Sequence, residues 1–513
     1  DNQSPAYTLC WQFDIRLKQP DDVWRVWVNA YDGAVQAHQS QSRACNSHRG
    51  TFNSTYYATR GFDVRKGKQI GNDYVLKDCR GDGIHTKYHR LDRFGETGSW
   101  AWTSNIRHRG TDWRNNDRAA TTAHWAAQAA WDYFSDNFDW IGPANEGLPL
   151  RIWVDWLQAD ETPMPNARYL FDNDRHYLYL GEVQGQSLAT LDVVGHEFAH
   201  GMISKTAGLT YAGESGALHE SFADILGTLV ERSVLEDEFD WVLGSELGGL
   251  RDMAHPHSYA QPEYYGESDP FWISDDKTDC TGSGVWTSGG EPACDVHTNS
   301  GVQNRWFYLL SVGGKQAGTT VYGIGIDRVA QIVFRSLKTY LQPLDTYTDA
   351  RMASIQAAAD LFGACSNELA QVKNAWAAVG VGGANTAICV EILGADDICS
   401  DESFKELTYE VRAIEGAEFF WEPLPVGWAY AISGDKGQYL TLTYIPDDAP
   451  PISLEVTARL GAREEQLQKN VIFVECKTDT NQTNPPGEGP TTRLKFPEVR
   501  LIPNPCKDRV MVF

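Results

Sequence analysis

Apolar and polar positions alternate with a period of two over Tyr7–Phe13 and again over Val23–Val28, and a turn at Tyr31–Val35 closes the segment. Residues 5–37 therefore read as a hairpin-like strand unit. Residues 38–50 are polar and aperiodic, which predicts a linker. Short alternating segments rich in Gly and Tyr return over 51–115 and predict a β-rich region. The pattern changes at Ala119–Phe134, a nearly uncharged run of helical composition that predicts a buried helix. Leu150–Trp156 reads as a strand. From 188 to 380 apolar residues recur at helical spacing, most clearly in Leu188–Ser204, Ala217–Arg232, Val302–Ser311, Ile326–Tyr340 and Asp349–Leu361. Strand alternation resumes over 392–476, as in Leu407–Val411, Tyr439–Tyr444 and Ile452–Val456, and predicts a β-sandwich. Residues 478–492 are a Pro-, Gly- and Thr-rich linker before a short strand-like tail at Val499–Pro505. No internal repeat is visible.

Composition sharpens this outline. A chain of 513 residues is too long for one compact unit, so two to four domains are expected. The net charge of −25 argues against nucleic acid or an anionic membrane as partner, and no apolar run reaches the ~18 residues of a spanning helix. The charge is uneven: −22 falls on residues 121–392 and −11 on 393–490. Ten scattered cysteines without a CxxC pair suggest disulfides and an oxidising, extracellular setting; buried thiols in a cytosolic enzyme are the alternative. The chain starts at Asp1 and is expected to be processed or truncated.

The strongest chemical signal is His196-Glu197-Phe198-Ala199-His200, inside a helical run. Residues 196 and 200 are one turn apart, so both imidazoles leave the same face. Two neutral imidazoles at that spacing suit Zn²⁺, and Glu197 is placed to act on water activated by the metal. A short motif of this kind also arises by chance, so a third donor from another element decides. Glu220 and Asp224, again at i, i+4, supply it: one carboxylate can bind the metal while the other orients a ligand histidine. A third histidine six residues after His200 would mark another protease class, but Thr206 stands there.

With these residues the chain resembles the thermolysin family of neutral metalloendopeptidases, over roughly residues 48–392. That family places its glutamate ligand twenty residues after the second histidine, at Glu220 here, whereas related zinc aminopeptidases place it one residue earlier, where this chain has His219. The resemblance implies a multidomain α+β protein. Its two-lobed catalytic domain would have a β-rich first lobe, an α-helical second lobe and zinc in the cleft, followed by an Ig- or PKD-like β-sandwich. It implies that Asn166 and Ala167 bind the substrate backbone and that Arg251 holds a substrate carbonyl. Tyr211 and His297 would stabilise the oxyanion, and Val193, Leu243, Leu247 and Leu250 would line a pocket for an apolar residue after the scissile bond. Zinc would be held by His196, His200 and Glu220, with Glu197 as general base and Asp224 behind the ligands. One structural Ca²⁺ is expected at Asp192, Glu231 and Asp240; a solvated acidic face is the alternative.

Three departures from the family pattern matter. The residue that usually orients the active-site histidine is replaced by Pro292, for which Asp295 or Glu291 could substitute, and a Cys280–Cys294 disulfide could close this loop. His219 stands where the family usually has Asn. Val242 and Ser245 stand where members with two calcium ions carry Glu.

The flanks complete the expected organisation. Residues 1–45 look like the end of a PepSY-type propeptide, 46–392 the catalytic domain, 393–477 the sandwich, 478–492 a linker, and 493–513 the truncated start of a type IX secretion sorting domain, from Pro503-Asn504-Pro505 and Asp508-Arg509-Val510. Disulfides Cys365–Cys389, Cys399–Cys476 and Cys45–Cys79 are the pairings considered. The expected protein is a secreted monomer of Bacteroidetes-type export. Its partners would be protein or peptide substrates, its own propeptide and the type IX machinery. A binding protein on a retained protease scaffold would show a damaged base or ligand, and an exopeptidase would need an anchor for a free amine; neither feature is found in the sequence.

Overall fold

In the computed structural model, residues 10–16, 23–29, 35–40, 47–66, 73–80, 83–93, 99–109, 111–114, 117–158, 160, 162–274, 294–385, 391–395, 397–399, 407–412, 416–445, 452–461 and 463–474 are described. The chain divides into two compact units, the first closing at Val194 and the second opening at Gly195.

The first unit opens with an antiparallel sheet of β1 (Cys10–Arg16), β2 (Val23–Asn29) and β3 (Val35–Ser40). A second sheet joins β4 (Ser47–Phe52), β5 (Arg60–Lys66), β6 (Tyr74–Val75) and β9 (Arg107–His108) in that order. The linker expected over 38–50 is therefore shorter, because residues 38–40 continue β3 and 47–50 open β4. Main-chain pairing of His48 with Val64 and Gly50 with Phe62 makes these strands despite their polar sequence.

The third sheet runs β11 (Ala167–Asp172), β12 (Arg175–Leu180), β10 (Leu150–Val154), β7 (Ile84–Arg93), β8 (Ser99–Asn105), with β10 parallel to both neighbours. Alternation puts Ile84, Thr86, Leu150, Ile152, Leu178 and Leu180 on one fully buried face, against α1 (Arg118–Phe138). The alanines at 120, 123, 126, 127 and 130 bring α1 close to this sheet, and Asp117 caps its start by accepting from the Ala120 amide at 3.0 Å. Arg80, almost wholly buried, ties the layers together through Asp132 (2.7 Å) and Asp78 (2.6 Å).

In the second unit, α3 (Gly213–Leu235) is buried from Ser215 to Glu231, which makes it the central helix. Around it lie the rest of α2 (Leu191–Lys205), α4 (Cys294–Asn299), α5 (Gly301–Val312), α6 (Ile326–Thr339), α7 (Tyr347–Phe362) and α8 (Asn367–Ala378). Trp306 of α5 stacks on Trp376 of α8 with centroids 4.8 Å apart, and Trp376 donates to Ser354 of α7 at 2.7 Å. Among the described residues, no helix is long and apolar enough to cross a membrane.

Beyond the helices, two four-stranded sheets share one core. Tyr409, Val411, Leu440 and Leu442 come from one sheet, and Phe419, Trp421, Leu454, Val456, Ala458 and Val471 from the other. The strands at Tyr439–Tyr444 and Ile452–Leu460 fall where the alternation placed them. Cys79 and Cys365 are disulfide-bonded. Cys45, Cys280, Cys389 and Cys476, the linker at 478–492 and the tail at 493–513 lie outside the described residues.

Candidate active site

α2 is buried from Leu191 to Ala199, so His196 and Glu197, each 5% exposed, are held inside the protein. The imidazoles of His196 and His200 meet edge to face at 4.6 Å. The crossing of α2 and α3 brings Glu220 to them. Gly195 allows it: a Cβ there would lie 3.0 Å from the Cα of Gly227 and 3.1 Å from Val230. Gly195→Ala is expected to cost roughly 1–3 kcal/mol of stability by overpacking and to weaken metal binding together with it. An unchanged melting midpoint would refute so tight a crossing.

Glu220 Oε2 lies 3.5 Å from His196 Nε2, and Oε1 lies 3.7 Å from His200 Nε2. Ligand atoms of His196, Glu197 and His200 fall within 4.8 Å of one another. Burial pushes the Glu220 pKa up, but His297, His196, His200 and Arg251 outweigh it and hold the carboxyl well below the usual range. Glu220 Oε2 is a buried oxygen with no hydrogen-bond partner in the protein. An anionic oxygen left without a hydrogen bond beside two imidazole nitrogens is a donor set that fits Zn²⁺.

Asp224, one turn further along α3, is fully buried. Its Oδ1 lies 2.8 Å from His196 Nδ1, and it receives both Nε (2.8 Å) and Nη2 (2.7 Å) of Arg251. Asn304 of α5 donates to it at 2.8 Å. Burial pushes the Asp224 pKa up, but Arg251 and then His196 outweigh it, and the group is an anion. Arg251 is thus fixed before any substrate arrives.

Tyr211 precedes α3 and donates to Glu220 Oε1 at 2.5 Å; its hydroxyl is 3.2 Å from Nε2 of His297. His297 Nε2 is in turn 3.3 Å from Glu220 Oε2. The main-chain carbonyl of His297 accepts from Gln261 (2.6 Å) and Ser300 (2.9 Å), which pins α4. Gly216 leaves room for Val296 beside α3, since any side chain at 216 would run into Val296. The structure thus brings Tyr211 and His297 to Glu220, with Glu197 beside His196 and His200. The residues considered as orienters of His297 — Pro292, Glu291 and the side chain of Asp295 — lie outside the described residues.

Leu247 and Leu250 close over Gly244, where an added Cβ would lie 2.9 Å from Leu250 and 3.5 Å from Leu247, and the neighbouring Leu243 is buried. Val193 is buried in the first turn of α2. Ala167 opens β11, an edge strand of its sheet, and Asn166 immediately precedes it. The Asn166 carbonyl accepts from the Gly181 amide at 3.1 Å. Of the calcium candidates, Asp192 is buried at the start of α2, where it accepts from the Val193 amide at 2.7 Å. Glu231 is buried near the end of α3. Asp240 accepts from the Val242 amide in its own turn at 2.7 Å. A carboxylate within 4.8 Å of Glu231 belongs to Glu246, a residue the sequence reading missed. Asn304 was missed as well, one of three consecutive polar residues, Gln303 to Arg305, that nothing in the sequence sets apart.

The family model of the thermolysin metallopeptidase catalytic domain matches residues 25–204, reaching back into the segment read as propeptide. The model of the thermolysin metallopeptidase alpha-helical domain matches residues 207–381. A bacillolysin of Bacillus caldolyticus is 32% identical over 406 residues, covering 74% of this chain and 68% of that protein. A thermolysin of Bacillus sp. (strain EA1) is 32% identical over 404 residues, with the same coverages of 74% and 68%. The precursor of protealysin, a metalloproteinase from Serratia proteamaculans, is 25% identical with a TM-score of 0.41, covering 58% of this chain and 87% of that chain.

Proposed function

The chain belongs to the thermolysin family of zinc-dependent metalloendopeptidases, and from that membership we propose how its own residues divide the work of cutting an internal peptide bond. The observation that carries the assignment is the approach of Glu220 to His196 (3.5 Å) and His200 (3.7 Å), two histidines that also cluster with Glu197. Zinc held by those three residues supplies Lewis-acid activation of water and of the scissile carbonyl. Glu197 takes the proton of the attacking water and delivers it to the leaving amine. Tyr211 and His297 donate to the developing oxyanion, a contribution of roughly 3–4 kcal/mol per donor. Arg251, held by Asp224, presents its remaining N–H groups to a substrate carbonyl. Asn166 and Ala167 take the substrate main chain, and Val193, Leu243, Leu247 and Leu250 favour an apolar residue after the scissile bond.

The family uses structural calcium as well as catalytic zinc. The expected calcium set of Asp192, Glu231 and Asp240 gains Glu246 as a further donor, supported by its approach to Glu231. The domain boundaries belong to the same reading: propeptide 1–45, catalytic domain 46–392, Ig/PKD-like module 393–477, linker 478–492 and sorting domain 493–513. The pattern Trp24–Ala30 followed by Asp32-Gly33 supports the first assignment, and Pro503-Asn504-Pro505 the last. The protein is then a monomeric zymogen, kept inactive by its propeptide and exported by a type IX machinery. Disulfides at Cys79 and Cys365 favour an oxidising destination.

The test is cleavage of an end-blocked, internally quenched peptide by the processed protein. Activity should vanish with a zinc chelator and return with stoichiometric zinc. Cleavage that ignores the chelator, or products confined to terminal residues, would overturn the reading.

A further inference from the structure

His219 stands one residue before Glu220 on α3 and is 7% exposed. Its Nδ1 lies 3.1 Å from the carbonyl oxygen of Leu209. A carbonyl only accepts, so Nδ1 carries the hydrogen, and Nε2 of the neutral ring is a bare lone pair. That Nε2 is buried with no hydrogen-bond partner in the protein, a condition native structures keep rare. Two aromatic neighbours flank it. The Tyr211 ring lies at 5.6 Å, but its hydroxyl is engaged with Glu220 and His297. The His200 ring lies at 5.0 Å, tilted by 54°.

His200 turns its Nε2 toward the carboxylates, 3.7 Å from Glu220 and 4.0 Å from Glu197. Its Nδ1 is on the other side of the ring, and in an imidazole that ligates metal through Nε2 this nitrogen carries the hydrogen and needs an acceptor. Two imidazoles joined by an N–H···N bond of about 2.9 Å have centroids roughly 5 Å apart; these rings are already at that separation, although no bond joins them in this structure.

Resting on the zinc assignment above, we propose that His219 is a positioning residue for His200. The Leu209 carbonyl fixes its tautomer, and its Nε2 accepts the Nδ1–H of His200 when His200 binds the metal. The two ligand imidazoles then have different outer partners, a carboxylate for His196 and a neutral imidazole for His200. The buried lone pair of His219 and the hydrogen of His200 satisfy each other.

Zinc affinity, measured by competition with a chromogenic chelator, tests this. His219→Phe fills the space without an acceptor and is expected to bind zinc about 10–100-fold more weakly. His219→Gln returns a carbonyl acceptor and should recover most of that loss. The metal-free melts of both variants should stay close to that of the parent, since the lone pair has no partner to lose there. Parent-level zinc affinity in His219→Phe, or equal weakness in both variants, would overturn the proposal. Nitrogen-15 histidine spectra of the zinc-loaded parent need no substitution. Nδ1–H tautomers at both His200 and His219 are expected, and an Nε2–H tautomer at His219 would overturn the proposal. A parent protein that takes up no stoichiometric zinc would instead overturn the zinc assignment.

Discussion

Glu197→Gln is expected to lower kcat for peptide cleavage by about 10²–10⁴-fold while the protein still binds one zinc ion. The amide has the shape of the carboxylate, so the buried helix around it need not repack. What it loses is the ability to take a proton, the step that general-base catalysis contributes. Glu197 is not among the residues assigned to hold the metal, and its Oε2 is 4.0 Å from His200 Nε2. Metal content and metal-free melting should therefore stay near parent values. Steady-state kinetics on a quenched peptide, read beside zinc content by atomic absorption, separates the two effects. Parent-like cleavage by the variant would refute the assignment of the base, whereas loss of zinc would show that Glu197 serves the metal site instead.

The second large effect is expected at Asp224, and it falls on the fold as well as on the chemistry. Asp224→Ala removes the anion that receives Arg251 at 2.7 and 2.8 Å and faces His196 at 2.8 Å. A guanidinium left buried without its partner costs about 3–5 kcal/mol. His196 loses the acceptor that sets its tautomer, for which a further 10–100-fold loss of zinc affinity is expected. Urea unfolding of the metal-free protein isolates the first effect and chelator competition the second. An unfolding midpoint equal to the parent's would show that Arg251 finds another anion and that the Asp224 pair is dispensable.

The two effects also show how unevenly the sequence exposes its structure. The helices of the zinc cluster are legible because α3 is buried on every side from Ser215 to Glu231, so Glu220, Asp224 and Glu231 stand out inside an apolar run. Strand alternation likewise placed Tyr439–Tyr444, where one side of each residue pair faces a core. The hairpin Gly313–Gln316 with Thr319–Tyr322 was not legible, because four-residue strands of Gly, Lys and Thr have no period to read. Its register comes from the two-residue turn Ala317-Gly318, with φ of +47° and +79°. Glu246 escaped for a different reason. It sits in a short irregular turn, Ser245–Leu247, and only tertiary folding brings it to Glu231. Asn304 escaped because a polar residue within a helix has meaning only once its buried partner Asp224 is known.

The proposed assignment of Asn166 and Ala167 to the substrate main chain would put substrate on β11, an edge strand of its sheet, and that has a consequence for what can be digested. A substrate that adds to a sheet edge offers its own amides and carbonyls, which every sequence carries, so side chains decide little at that step. Those groups are available only in a segment that has let go of its native neighbours. Well-folded targets would then be cut in proportion to how often the segment concerned opens locally, a quantity set by the target's stability. On that proposal, local opening of the target would precede any choice of side chain by the apolar pocket.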